Sequence, residues 1–294
     1  MITIESDVLR IQIDPMGAQL SSIYHKQHKL EYLWQKDPSY WKSSAPVVFP
    51  VIGKLTEGKY RYRGKEYELK SNGLIRYKMI DVKDQGSDFV EFIYEPDEED
   101  LKRFPFPCQM LLRYQVEKNK LIVRAKITNT GDGDLHYFYA GHPGFNVPLY
   151  DHESCDDYYV EFEKKENMDI YEVCETGQLL NKKEQFFAHE NRFFVRKNLF
   201  RKEALAFVHP SSDSLMIKSI KNDHFIKVNF SGFHNVAVWS PYIPDKDLRF
   251  ICIEPWIGHT EFKGFQKDWD EHEEIAVLHP RKSNTHVFSI EIDE

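Results

Sequence analysis

Two strings far apart in the chain place an ionisable residue directly before a proline: Gly141-His142-Pro143-Gly144-Phe145-Asn146 and Cys252-Ile253-Glu254-Pro255-Trp256. An imidazole gives or takes a proton near neutrality. A carboxylate closing an apolar run such as Phe250-Ile251-Cys252-Ile253 costs several kcal/mol, on the order of the charge-burial penalties, if it is buried unpaired. A lone histidine in a tight turn of small residues is more often structural. Paired with such a glutamate it offers an acid and a base. Proline has no amide donor for a ladder, so Pro255 should end its strand, and Pro143 should end the one begun by Tyr137-Phe138-Tyr139.

Other residues would surround such a pair. Trp256 offers a flat apolar wall of the kind on which sugars rest. Ser71-Asn72-Gly73-Leu74-Ile75-Arg76 joins ordinary Asn-Gly turn chemistry to the rigid donor fork of Arg76, which suits hydroxyl or phosphate oxygens. The proline-bracketed run Ala45 to Leu55 reads as a buried strand and turn that delivers Gly53-Lys54. No phosphate-binding loop, dinucleotide fingerprint, zinc-protease helix or serine nucleophile elbow occurs. His152, His189, His209, His224, His234, His259, His272 and His279 follow no metal-ligand spacing, so neither metal nor cofactor is expected.

The elements that must position these groups are strands. Leu9 to Ile13 alternates apolar and polar residues, and Tyr60 to Leu69 reads as a hairpin. Met110–Val116 and Leu121–Thr128 flank Glu117-Lys118-Asn119-Lys120 as another hairpin, and further strands fall at 225–230, 235–239, 250–254 and 285–292. One short helix is expected over 96–104, acidic in its first turn and stopped by Pro105, with its charges on a solvated face. The acidic cluster 268–274 reads the same way. No linker or repeat divides the chain, so residues 1–294 read as a single all-β domain of two large stacked sheets.

With 41% hydrophobic residues the chain can build a sizeable core. A formal net charge of −8 argues against nucleic acid or an anionic membrane as partner. The four cysteines show no paired pattern, which suits a reducing compartment, and no leader or membrane span is evident. The expected location is cytoplasmic.

Taken in order, the strings resemble the aldose 1-epimerase (galactose mutarotase) superfamily, in particular its LacX-like subgroup. The segments that carry the likeness are Gly17 to Ile23, Ala45 to Leu55, Gly73-Leu74-Ile75-Arg76, Gly141 to Asn146, Leu199 to Phe207 and Cys252 to Trp256. The resemblance implies a galactose mutarotase-like β-supersandwich of two large twisted, mainly antiparallel sheets, no organic cofactor, and an aldose, free or phosphorylated, as partner. It implies Glu254 as general base and His142 as general acid. Their shared placement before prolines at strand ends leads us to expect them to face one another across a pocket at about the width of a sugar ring. Arg76 matches the arginine of the family's His-Gly-Phe-Ala-Arg string, Lys54 stands where many relatives carry arginine, and Glu203 falls loosely near an acidic residue that holds sugar hydroxyls. Asn72 replaces the histidine that opens that string; it can donate a hydrogen bond but carries no proton charge at neutral pH. The expected activity is interconversion of hexose anomers. Alternatives are a hexose-6-phosphate 1-epimerase or a non-catalytic sugar-binding module, as monomer or homodimer.

Overall fold

Cys108–Glu117 buries every second residue from Cys108 to Val116, and Lys120–Asn129 buries the alternate set from Leu121 to Asn129. The two pair antiparallel from Lys120↔Glu117 to Asn129↔Cys108, across a turn in which Lys118 takes a positive φ of 53°. This alternation is the signature of a sheet with one face on a core, and it recurs through most of the molecule. The computed structural model describes residues 1–293.

Fourteen strands form one hydrogen-bonded sheet. Its main path starts at Asp81–Gln85 and passes through Phe89–Tyr94, Cys108–Glu117, Lys120–Asn129, Ser283–Ile292 and Phe225–Asn229. It continues through Ser214–Ser219, Tyr158–Val173, Leu205–Val208, Asn235–Trp239 and Phe250–Ile257 to Tyr139–Ala140. A twisted sheet this wide must curl or fold over. Here its far end returns onto its middle: Tyr139 stacks on His286 with ring centroids 5.5 Å apart, and Phe233 meets Phe288 edge-on. Two antiparallel layers therefore face each other. A four-stranded sheet (Ile2–Glu5, Leu9–Asp14, Gln19–His25, Leu30–Glu31) packs alongside, with Tyr114 Oη donating to the Ala18 carbonyl at 2.8 Å. One apolar cluster extends from Ile4 to Ile292. Among the described residues no helix is long and apolar enough to cross a membrane.

Four local expectations need correction. Pro255 does not end its strand, which runs through it as Phe250–Ile257. On one side Val236 pairs with it; on the other, where its missing N–H would point, residues 141–143 bow out of the ladder. The helix forms at Glu98–Arg103, with Asp97 accepting from Asp100 N, but its charges are not all solvated. Asp100 is buried, bonded by Tyr94 Oη at 2.9 Å and Lys78 Nζ at 2.6 Å. In the 268–274 cluster, Trp269 and His272 are likewise buried. The run from Ala45 to Ile52 is buried as expected, yet it follows an irregular path with only isolated bridges at Val48 and Phe49.

Candidate active site

That irregular run is the scaffold of the site. Val48 and Ala140 exchange backbone hydrogen bonds at 3.1 Å in both directions, which anchors the chain two residues before His142. Ala140 then pairs with Trp256 and Gly144 with Cys252, so the segment between them lies against Glu254. Gly141 N donates to Pro255 O at 3.2 Å, and Ile253 N donates to Pro143 O at 3.1 Å. The bowed segment thereby carries the His142 ring over the carboxylate.

His142 Nε2 stands 3.3 Å from Glu254 Oε1. The expectation of a ring-wide gap is wrong: the two residues sit opposite one another on neighbouring chain segments, where backbones are only ~5 Å apart. No sugar ring fits between the two side chains, and whatever enters the cavity lies over the pair. The other carboxylate oxygen, Oε2, accepts from Trp256 Nε1 at 3.2 Å. Trp256 is buried, so it positions Glu254 and lines the cavity with little free face. Trp41 instead stacks on the His142 ring (centroids 5.1 Å, 26°), and Trp239 meets that ring edge-on.

Burial dominates the electrostatics. It pushes the Glu254 carboxyl up to about 8, partly offset by the Trp256 hydrogen bond. It pushes the His142 imidazole down to about 3, helped by the positive charge of Arg76. The adjacent Cys252 thiol is raised well above its ordinary range by burial and by Glu254, and stays protonated. Between about pH 3 and pH 8 the His142–Glu254 pair thus holds one proton.

The loop bearing Asn72 and Arg76 is fixed by close backbone approach. A Cβ on Gly73 would lie 2.0 Å from the Phe49 carbonyl oxygen, and its φ is +80°. Only glycine fits there. Asn72, at φ 61°, takes the left-handed conformation that asparagine tolerates. Its Oδ1 accepts from Gly53 N at 2.7 Å, which leaves the side-chain NH₂ as the group free for a ligand. Arg76 follows in a 3₁₀ turn with its guanidinium over the Tyr77 ring. Among the described residues neither Arg76 nor Lys54 has a carboxylate within ion-pair distance. Glu203 accepts from Trp239 Nε1 at 3.2 Å.

Glu254, His142, Arg76, Asn72, Lys54, Glu203 and Trp256 all line one cavity of about 330 Å³. Sequence reasoning brought these seven together and missed Trp41, Trp239 and Glu175, which line it too. Trp239 ends the strand Asn235–Trp239 and is half-buried there, a position where an aromatic borders a cleft. Trp41 and Glu175 lie in connecting segments, where no periodicity marks them.

Fold and site together define a β-sandwich protein with a buried histidine–glutamate pair in an aromatic-walled cavity. The chain belongs to the aldose 1-epimerase family, whose model matches residues 1–274. It is 29% identical over 265 residues to the plasmid-encoded protein LacX of Lactococcus lactis subsp. lactis, covering 87% of each chain. Among solved structures it is similar to a galactose mutarotase related enzyme from Lactobacillus acidophilus, with TM-score 0.94 and 26% identity over 100% of this chain and 97% of that one. A galactose mutarotase-like protein from Lactobacillus casei ATCC 334 also matches at TM-score 0.94, with 27% identity and full coverage of both chains.

Proposed function

We propose that this chain is an aldose 1-epimerase that interconverts the α and β anomers of a hexose. The observation that carries the reading is the 3.3 Å approach of His142 Nε2 to Glu254 Oε1 within the aromatic-walled cavity. Ring opening needs a base at the anomeric hydroxyl and an acid at the ring oxygen. These oxygens share one carbon, so an adjacent pair reaches both. Glu254 takes the hydroxyl proton while His142 gives its own to the ring oxygen. The freed aldehyde then turns about the neighbouring carbon–carbon bond, and ring closure returns both protons. One proton shared by the pair suffices for the whole cycle. Burial places it on Glu254, the arrangement required for closure; opening requires it on His142. Arg76, Asn72, Glu203 and Lys54 would hold the remaining hydroxyls, with Trp41 and Trp239 as walls for the sugar's apolar faces.

A phosphorylated hexose is the second reading, favoured by one observation: Arg76 and Lys54 both border the cavity as cations without carboxylate partners among the described residues. A binding module without activity is disfavoured, because recognition alone has no use for the buried pair.

Anomer exchange measured by NMR or polarimetry across free and phosphorylated aldoses tests these readings. Glu254→Gln keeps the shape and loses the base, so exchange should fall to near the spontaneous rate. His142→Asn should lose ~10²–10⁴-fold, the usual worth of one positioned acid or base. Wild-type exchange in either folded variant would show that the roles are misassigned. Preference for a 6-phosphate that disappears in Arg76→Gln or Lys54→Gln would select the second reading.

A further inference from the structure

His224 belongs to no ligand spacing along the chain, but the fold brings it to two partners from opposite ends of the sequence. Asp293, just past the last strand, places Oδ2 2.5 Å from His224 Nδ1 and 3.1 Å from His28 Nδ1. The two imidazole nitrogens and the carboxylate oxygen all lie within 4.8 Å of one another. None of the three residues lines the cavity that holds His142 and Glu254.

His224 and Asp293 are hydrogen-bonded to each other, but hydrogen bonding does not account for His28. Among the described residues, buried His28 Nδ1 has no hydrogen-bond partner: Asp293 is near enough, but the contact is misdirected, so the ring nitrogen is not aimed at the oxygen. Among the described residues His25 Nε2 is a second buried nitrogen of this group without a well-directed hydrogen bond. The His28 backbone N donates to His25 Nδ1 at 3.1 Å, which fixes the His25 ring, and the His28 ring stacks on it at 3.9 Å and 6°. The surroundings of the other two groups are those that orient metal ligands. His224 Nε2 meets Tyr150 Oη at 2.8 Å, which leaves Nδ1 for the cluster. Asp293 Oδ1 accepts from Tyr32 Oη at 2.8 Å and from Phe225 N at 3.3 Å, so Oδ2 is the oxygen turned inward. A histidine whose second nitrogen is bonded outward, beside a carboxylate held by its other oxygen, is the usual outer support of a metal centre.

We propose that His28 Nδ1, His224 Nδ1 and Asp293 Oδ2 bind a divalent transition-metal ion of the zinc class, with solvent in a fourth position. Two imidazoles and one carboxylate suit a borderline ion. Bonds of ~2.0–2.2 Å in a tetrahedron place the donors ~3.3 Å apart, so the cluster needs to open by less than about 1 Å at its tightest contact. The ion would join the turn after Gln19–His25 to the segment leading into Phe225–Asn229 and to the end of Ser283–Ile292. It would thus clamp the four-stranded sheet to the large one.

The test is Zn²⁺ titration of the metal-stripped full chain by calorimetry, with Co²⁺ absorption as a report on coordination. One Zn²⁺ per chain is expected, with a tetrahedral Co²⁺ spectrum and a rise in melting temperature that EDTA reverses. His28→Gln and Asp293→Asn should each weaken Zn²⁺ binding by at least the ~10–100-fold that loss of an outer partner costs. His28 donates no ring hydrogen bond to the fold, so His28→Gln keeps the test valid if Asp293→Asn fails to fold. Glu254→Gln and His279→Gln should bind as wild type. Absence of a stoichiometric site would overturn the proposal, as would binding that survives His28→Gln or is lost in Glu254→Gln.

Discussion

The Trp256 indole donates to Glu254 Oε2 at 3.2 Å from only two residues along the same strand. Both side chains therefore emerge on one face of Phe250–Ile257, the period-two geometry of a strand. The bond is available only because the strand continues through Pro255. Were the chain to turn away at that proline, the indole would leave the carboxylate, and buried Glu254 would have only His142 within reach among the described residues. A glutamate 5% exposed without a cation is tolerated here because its protonated form dominates at neutral pH.

Removing that donor should move a titration. The Trp256 hydrogen bond favours the ionised carboxylate, so Trp256→Phe raises the pKa of Glu254 further. A bond worth ~1 kcal/mol corresponds to somewhat less than one pH unit. Wild-type anomer exchange should decline as pH rises through about 8, where the pair loses its shared proton. In Trp256→Phe that alkaline limb should shift upward by about half a unit to one unit. A limb that moves down, or does not move, would separate Trp256 from the control of Glu254.

The same pair shapes stability. Glu254 titrates at about 8 in the folded chain against 4.5 for an unperturbed glutamate, so between those values the folded state holds a proton that the unfolded state has released. Stability therefore falls as pH rises through that window, by up to ~4–5 kcal/mol. His142 acts in the opposite sense: from 6.5 down to about 3 the unfolded chain takes up a proton that the folded chain refuses, so stability falls with acidification. Glu254→Gln removes the alkaline loss and keeps an acceptor for Trp256. Urea unfolding at pH 5 and pH 9 should show the variant close to wild type at the lower pH and ~2 kcal/mol or more above it at the higher. Parallel pH profiles for the two proteins would contradict the burial of an ionising Glu254.

The hairpins, the first half of the strand Phe250–Ile257 and the seven cavity residues were legible because alternation and short ordered strings survive in the sequence, while its continuation through Pro255 was not. The pair Tyr158–Val173 and Leu179–Phe194 was not. Each strand has 16 residues, with runs such as Glu163-Lys164-Lys165-Glu166 and Asn181-Lys182-Lys183-Glu184, and their register shifts at four places. Bulges reset the phase of alternation, and a mostly exposed strand has little apolar pattern to lose. The separation of His142 and Glu254 was misjudged for a related reason: strand ends were inferred from prolines, while the actual spacing is set by pairing between residues over a hundred positions apart. The His28–His224–Asp293 cluster lies beyond spacing rules altogether.

Gly73 links the loop to the site in a way a substitution can expose. Its missing side chain lets Phe49 O accept from Leu74 N at 2.8 Å, which seats Asn72 and Arg76 on the cavity rim. Gly73→Ala brings a Cβ within 2.0 Å of that oxygen at positive φ, so the loop must move. Destabilisation of ~1–3 kcal/mol is expected, and KM should rise more than kcat falls, because the displaced groups bind rather than react. Unchanged KM alongside a large loss of kcat would mean that the loop acts on the acid–base pair instead.

Asn72 is the site's departure from the family's pattern, and its geometry limits what reversing it can do. Its Oδ1 is committed to Gly53 N at 2.7 Å, and its left-handed backbone suits asparagine better than most residues. The free NH₂ makes one neutral hydrogen bond to a substrate at most per hydrogen, which is a binding contribution. Asn72→His should therefore change KM or sugar preference by about tenfold or less, the worth of one neutral hydrogen bond, and lower stability by ~1 kcal/mol as the Gly53 contact is lost. Steady-state kinetics on several aldoses, together with thermal unfolding, check both halves. A wild type that binds sugars without exchanging their anomers, made active by Asn72→His, would reverse the reading. Position 72 would then govern the chemistry itself, and the His142–Glu254 pair would be insufficient without a third titratable group.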